Sequence, residues 1–158
     1  MTAVPALLKP RVRGFTLIEL LAVLAVIGMA GAVVLLTLPG DEQVLTREAE
    51  RFGARLVRAQ EEAILGTRAI EVTATGEGYG FTRQRFAEWE PLTERPFGNL
   101  LWEEGTHAQL PRDQPQVTFH FDPTGLASEQ SLTLSRDRSA LRIAVDVSGK
   151  VLIDVPPG

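Results

Sequence analysis

RGFTLIELLAVLAVIGMAGAVVLLTL, residues 13–38, is too long and too apolar for a water-soluble core to absorb, so it belongs in a membrane or in a bundle of its own kind. No charged residue occurs from Leu20 to Leu38. As a helix from Phe15 the run reaches roughly 36 Å at about 1.5 Å per residue, against a hydrocarbon core of about 30 Å. Glu19 breaks the pattern one turn from the start. A lone carboxylate at a bilayer centre costs on the order of 3 kcal/mol unless it is interfacial, protonated or paired. A secretory signal cut after Ala30-Gly31-Ala32, or a plain single-pass anchor, gives Glu19 nothing to do. Gly28 and Gly31 read as small packing residues of a helix bundle.

Upstream, MTAVPALLKPRVRG carries Lys9, Arg11 and Arg13 with no acidic residue. Such a flank holds the amino-terminal side in the cytoplasm and sends the chain beyond Leu38 across the membrane. Gly14 stands immediately before Phe15. With these residues in place, GFTLIEL resembles the class III signal of type IV pilins and pseudopilins. The resemblance implies that a prepilin peptidase cuts between Gly14 and Phe15 and methylates the new terminal amine of Phe15. The spacing has a physical sense as well. That amine and the Glu19 carboxylate lie about one helical turn apart, each costly alone in a low-dielectric bundle and cheaper together. In copies packed side by side with a small axial offset, Glu19 of one meets the Phe15 amine of another. Partner and register are then set as a single buried polar residue sets them in a coiled coil.

In a chain of 158 residues, the part after Pro39-Gly40 has room for one modest domain with its own core. Cysteine is absent, so the exported part gains no disulfide. The formal charge is -4, and loss of the three leader cations takes it to -7. An acidic body repels nucleic acid and anionic lipid beyond contact range.

Pro39-Gly40 ends the apolar run with two strong breakers. Asp41 reads as an N-cap. Leu45, Ala49, Phe52, Leu56, Ala59 and Ala63 then recur at steps of four and three, an amphipathic helix. Glu48, Arg51, Arg55, Arg58 and Glu62 take its other face, and Gly66 is its C′ stop. Beyond Gly66 the period changes to two. Ile70, Val72 and Ala74 form the inward face of a strand that turns at Gly76-Glu77-Gly78 into Tyr79 and Phe81. FAEWEPL, 86–92, reads as a further short strand. Residues 93–116, with several prolines and glycines, read as a long loop. Within it Phe97, Leu100, Leu101 and Trp102 either tuck onto the sheet or stand exposed as a partner contact. Val117, Phe119 and Phe121 give a strand closed by Asp122-Pro123-Thr124-Gly125. Leu132 and Leu134 begin another strand, and Arg136-Asp137-Arg138 is a hairpin turn. Leu141, Ile143, Val145 and Val147 come next, then a turn at Ser148-Gly149-Lys150 into Val151, Ile153 and Val155, so the last third reads as a β-meander.

The order of elements, with RLVRAQEEAILGTRAIEV at the helix end, WEPL and the FDPTG turn, is similar to minor pseudopilin H of type II secretion systems and its FimT-like relatives. That resemblance implies an α+β, pilin-like fold with a long N-terminal helix packed on an antiparallel sheet or pair of sheets. It implies a leader over residues 1–14, a transmembrane and assembly helix over 15–38, an amphipathic helix continuing the spine over 39–66, and a β-rich periplasmic domain over 67–158. The role implied is structural: a minor subunit of a short fibre that helps export folded proteins. Its partners are the prepilin peptidase, other pseudopilins, the inner-membrane assembly platform and, before assembly, the lipid bilayer. Its place is the bacterial inner membrane, single pass, with the body in the periplasm, and later the fibre. The alternative is a minor type IV pilin of the FimT-like kind, serving pilus biogenesis, adhesion or DNA uptake. DNA-capturing members use an arginine-rich end, whereas this sequence finishes VLIDVPPG, so no nucleic acid is expected. The disulfide-closed loop of many type IV pilins cannot form, and the calcium loop of major pseudopilins has no oxygen cluster to match it here.

No enzyme is expected. There are two histidines, His107 and His120, with no glycine-rich phosphate loop and no HExxH pair. His120 and Asp122 share a strand face but lack a third ligand, and Glu61-Glu62 and Glu103-Glu104 aim apart as neighbours. No cofactor and no metal is expected.

Overall fold

The computed structural model describes residues 15–37 and 40–156, with the side chains of 33–37 left aside, so Gly14 and Pro39 lie outside the described residues. The chain divides into two units, one bearing helix α1 (Leu17–Thr37) and one bearing everything from α2 (Asp41–Gly66) onward.

In α1, apolar side chains from Leu17 to Met29 are exposed on every side of the helix, because nothing in the sequence confines them to one stripe. Among the described residues no helix is long and apolar enough to cross a membrane.

The body is organised on α2. Its inward stripe is the expected one, with Leu45, Ala49, Phe52, Leu56, Ala59 and Ala63 fully buried. Three details differ from the sequence reading. Gly40, not Asp41, occupies the N-cap and makes no side-chain cap, while the Asp41 carboxylate reaches across to Arg136 Nε at 2.7 Å. Glu48, expected on the solvent face, is 1% exposed. At the other end Gly66 is still helical and Thr67 takes the left-handed conformation, φ 51°. Thr67 and Arg68 donate their N–H groups to Ile64 O and Ala63 O, which closes a Schellman-type end.

Among the described residues nine strands form two antiparallel sheets: β1 (Ile70–Thr75), β2 (Gly78–Arg85), β3 (Glu88–Pro91), β4 (Leu100–Leu101), β5 (His107–Gln109), β6 (Gln116–Phe121), β7 (Gln130–Arg136), β8 (Ser139–Val145) and β9 (Val151–Asp154). The first sheet runs β3-β2-β1-β6, with β4 also against β2, and the second runs β5-β7-β8-β9. The expected meander is therefore only β7-β8-β9. β6 joins the first sheet, pairing Val72 with Phe119, since alternation specifies a strand's faces and not its neighbour. The last hairpin turns one step earlier than expected. Asp146 Oδ1 accepts from the N–H of Ser148 at 2.8 Å and of Lys150 at 3.1 Å, which ends β8 at Val145 and leaves Val147 exposed.

Residues 93–116 hold β4 and β5 rather than a plain loop. Phe86 lies in no strand and takes a left-handed turn conformation, φ 58°. Gly78 and Gly80 show why β4 can form. A Cβ at Gly78 meets the Leu100 backbone and one at Gly80 meets the Asn99 side chain, so the missing side chains let residues 99–101 cross the outer face of β2.

Candidate functional site

Two regions carry the residues singled out in the sequence. The first is the start of α1. Phe15 is exposed ahead of the helix, and Thr16 caps it, its Oγ1 accepting from the Glu19 N–H at 3.3 Å. Thr16 and Glu19 thus stand at the spacing of a capping box, a local role that the sequence reading of Glu19 missed although Thr-x-x-Glu states it. The Glu19 side chain is exposed, and no described side chain pairs with it. An exposed Phe15, a solvent-facing Glu19 carboxylate one turn on and exposed apolar side chains along the helix can engage a like helix.

The second region is the segment from Leu92 to Thr106. It is tied down at several points: Arg55 donates to Pro96 O, the Trp102 N–H donates to Glu77 O at 3.0 Å, and Trp102 Nε1 donates to Thr75 O at 2.9 Å. Trp102 is buried at 7% exposure, its ring 5.2 Å from Phe52 and 4.7 Å from Tyr79. Burial pushes the Tyr79 hydroxyl up to about 12, against the opposing pull of Arg55. Phe97 packs on Phe81 at 5.1 Å, and Leu100 is partly buried against the same core. Of the four candidate contact residues, only Leu101 stands in solvent.

The remaining polar pairs do not converge on a reaction centre. His120 Nδ1 lies 3.3 Å from Glu71 Oε1, and the Trp89 ring stands edge-on to the imidazole at 6.0 Å. Asp122, instead of joining His120, spends Oδ1 on the Thr124 N–H at 2.7 Å and the Leu126 N–H at 3.1 Å. Hydrogen bonding to Thr124 is the main cause of its lowered pKa. Among the described residues no three His, Cys, Asp or Glu side chains group as metal ligands. A groove of about 700 Å³ between the first turns of α2 and the β8 and β9 edge is lined by Leu45, Thr46, Glu50, Leu141 and Val155 among others. Its charged lining has both signs, Glu42 and Glu50 with Arg47 and Arg138.

Comparison with known proteins adds two adjacent matches. Residues 9–35 match the prokaryotic N-terminal methylation motif, and residues 48–149 match the family described as type II transport protein GspH. The type II secretion system protein H of Aeromonas hydrophila is 31% identical over 89 residues, 54% of this chain and 49% of that one. The chain thus spans about half the length of this curated relative. The minor pseudopilin EpsH from the type 2 secretion system of Vibrio cholerae superposes with a TM-score of 0.58 at 18% identity, over 72% of this chain and 98% of that one. Escherichia coli GspH gives 0.54 at 19% identity, covering 68% and 85%. The Pseudomonas aeruginosa type IV minor pilin FimU gives 0.50 at 18%, covering 70% and 92%. At these identities the structural likeness speaks for the fold, which is pilin-like.

Proposed function

Because this chain belongs to the type II transport protein GspH family, we propose that it is a minor pseudopilin, a structural subunit of a secretion fibre. The observation that carries the reading is the order of the two matches on one chain, a methylation motif over 9–35 followed by a GspH body over 48–149. Residues 1–14 are a leader that the prepilin peptidase removes between Gly14 and Phe15. Phe15 is then N-methylated. The apolar run from Phe15 to Leu38 holds the subunit in the inner membrane, with its body in the periplasm, until the assembly platform moves it into the fibre.

In the fibre, Glu19 of one subunit pairs with the Phe15 amine of another. Both charges leave water together, which makes the pair cheaper than either charge alone and ties assembly to one axial offset. The body supplies contacts specific to this subunit, Leu101 among them. The chain performs no catalytic step of its own; its covalent chemistry is that of a peptidase substrate.

Intact-mass and amino-terminal analysis of the chain in membranes, with and without a prepilin peptidase, tests this. The expected product begins at Phe15, carries one methyl group and depends on the enzyme. A product beginning at Val33, or an uncut chain in both samples, refutes it. Glu19→Leu is expected to insert and be processed normally yet fail to assemble, whereas a plain anchor is indifferent to the change. A second reading, a minor type IV pilin, has the FimU likeness in its favour. It predicts salt-dependent binding of DNA or a surface by the body, which the pseudopilin reading does not.

A further inference from the structure

Where α2 ends, three separate turns each put a large apolar side chain into solvent: Phe86 is 94% exposed, Leu126 56% and Val147 62%. They share one end of the body. Phe86 lines a hollow with Thr67 and Pro123, the turn after Pro123 brings Gly125 against Ile64 of α2, and the Ala127 N–H donates to Val147 O. Loop tips are ordinarily polar, and a single exposed leucine needs no explanation. Three on one end do. Phe86 alone offers about 200 Å². Together the three expose apolar surface on the order of 400 Å², within the roughly 300–600 Å² that the largest patch of a lone monomer reaches. That is about half of the roughly 800 Å² each partner contributes to a standard protein interface.

The end is also preorganised. Gln60 Nε2, from α2, donates to Gly125 O at 2.6 Å and Ser148 O at 3.0 Å, clasping the two turns that present Leu126 and Val147. Asp122 and Asp146 each stiffen one of those turns by accepting two backbone N–H groups. Phe86 holds a left-handed backbone, φ 58°, which costs an L-residue roughly 1–2 kcal/mol and brings it no burial in return. A surface held in place before contact loses less entropy on binding. Its bordering charges have both signs, Arg68, Arg85 and Lys150 with Asp122 and Asp146, which suits a protein face better than an anionic lipid surface.

We propose that this end is the docking surface for a neighbouring, different subunit of the fibre, seated on Phe86, Leu126 and Val147, an assignment that rests on the pseudopilin reading above. The partner face it fits is apolar at its centre with charges of both signs at its border. The test uses the full chain in cells that assemble the fibre, with a photo-crosslinking side chain at Leu126 and a control at Leu152 of β9. The expected result is an adduct at position 126 identified by mass as another fibre subunit. It should fall at least tenfold in Phe86→Asp and in Val147→Ser, while both variants keep the parent's melting temperature within about 2 °C, as substitutions at exposed sites do. An adduct with lipid or with a second copy of this chain, or no yield above the Leu152 control, overturns the proposal. A normal mature start at Phe15 in the same cells shows that the docking assignment has failed and the pseudopilin reading has not.

Discussion

Glu48→Gln is expected to stabilise the body at neutral pH and to make no difference in acid. Glu48 sits on the buried stripe of α2 at 1% exposure. Its ion-pair partner, Arg51 at 3.2 Å, keeps half of its side chain in water. Burial raises the Glu48 pKa, Arg51 pulls it down, Glu103 adds to the rise and Arg55 opposes it. Because the folded pKa lies above the ordinary 4.5, the folded chain holds this proton more tightly than the unfolded chain does. The stability linked to Glu48 is therefore fully present below pH 4.5 and is lost as pH rises through the folded pKa. At pH 7 the carboxylate is ionised in a place that disfavours its charge.

Replacing a buried ion pair by neutral groups is often neutral or stabilising by about 1–4 kcal/mol. Here Arg51 can rehydrate freely, but a glutamine amide must find partners of its own, so a gain of about 1 kcal/mol is expected. In thermal melts that is about 4 °C. Urea melts of parent and variant at pH 7, 5.5 and 4 give the difference curve, which should shrink to nothing at pH 4. Asp122, Asp146 and Asp154 have lowered pKa values, so their contribution is present above 3.8 and lost as pH falls below it. Both chains share it, and it cancels in the difference. A variant less stable than the parent at pH 7, or a gap that does not change between pH 7 and 4, refutes the reasoning and makes the Glu48–Arg51 pair a net stabiliser.

Three further outcomes are expected. Thr67→Gly relieves a β-branched residue of its left-handed backbone, φ 51°, and should raise stability by about 1 kcal/mol, read as a higher melting temperature. Gly149→Ala should lower stability by about 2 kcal/mol, because the site has φ 79° and a Cβ there meets Gln60 and the Gly125 carbonyl oxygen. Adding Gln60→Ala removes only the first obstacle, so the double variant should still melt below Gln60→Ala alone. Trp102→Ala empties a site between Phe52 and Tyr79 and should cost about 3–5 kcal/mol. It should also speed proteolysis between Leu92 and Thr106, whereas Leu101→Ala beside it should do neither.

How much of the fold is legible in the sequence depends on how far apart in the chain the deciding residues lie. The α2 stripe and the faces of β1, β6 and β8 are local periodicities, so Phe52, Val72, Phe119 and Ile143 stand buried as their spacing says. Glu48 shows where letter and spacing disagree. It lies three residues after Leu45 and four before Phe52, squarely on the stripe, and its charge argued for solvent. Geometry prevailed because α2 cannot bury its neighbours and leave it out. Gly78 reads as a turn residue, and Gly80 as part of a strand, until residues 99–101 are seen to come against both. Nothing near them in sequence announces that crossing.

The same distinction divides the functional surfaces. A peptidase would read a short stretch of chain, and the residues proposed for that processing, Gly14, Phe15 and Glu19, lie within a few positions of one another in the methylation motif. A docking face is read by a folded partner. Phe86, Leu126 and Val147 belong to three turns scattered over about half of the body, and each alone is an ordinary apolar residue at a turn. They acquire meaning only because Gln60, itself one uncharged letter on a helix, holds two of those turns side by side. A change at Gln60 should therefore weaken subunit docking without touching any residue of the contact, while processing at Phe15 proceeds unaltered.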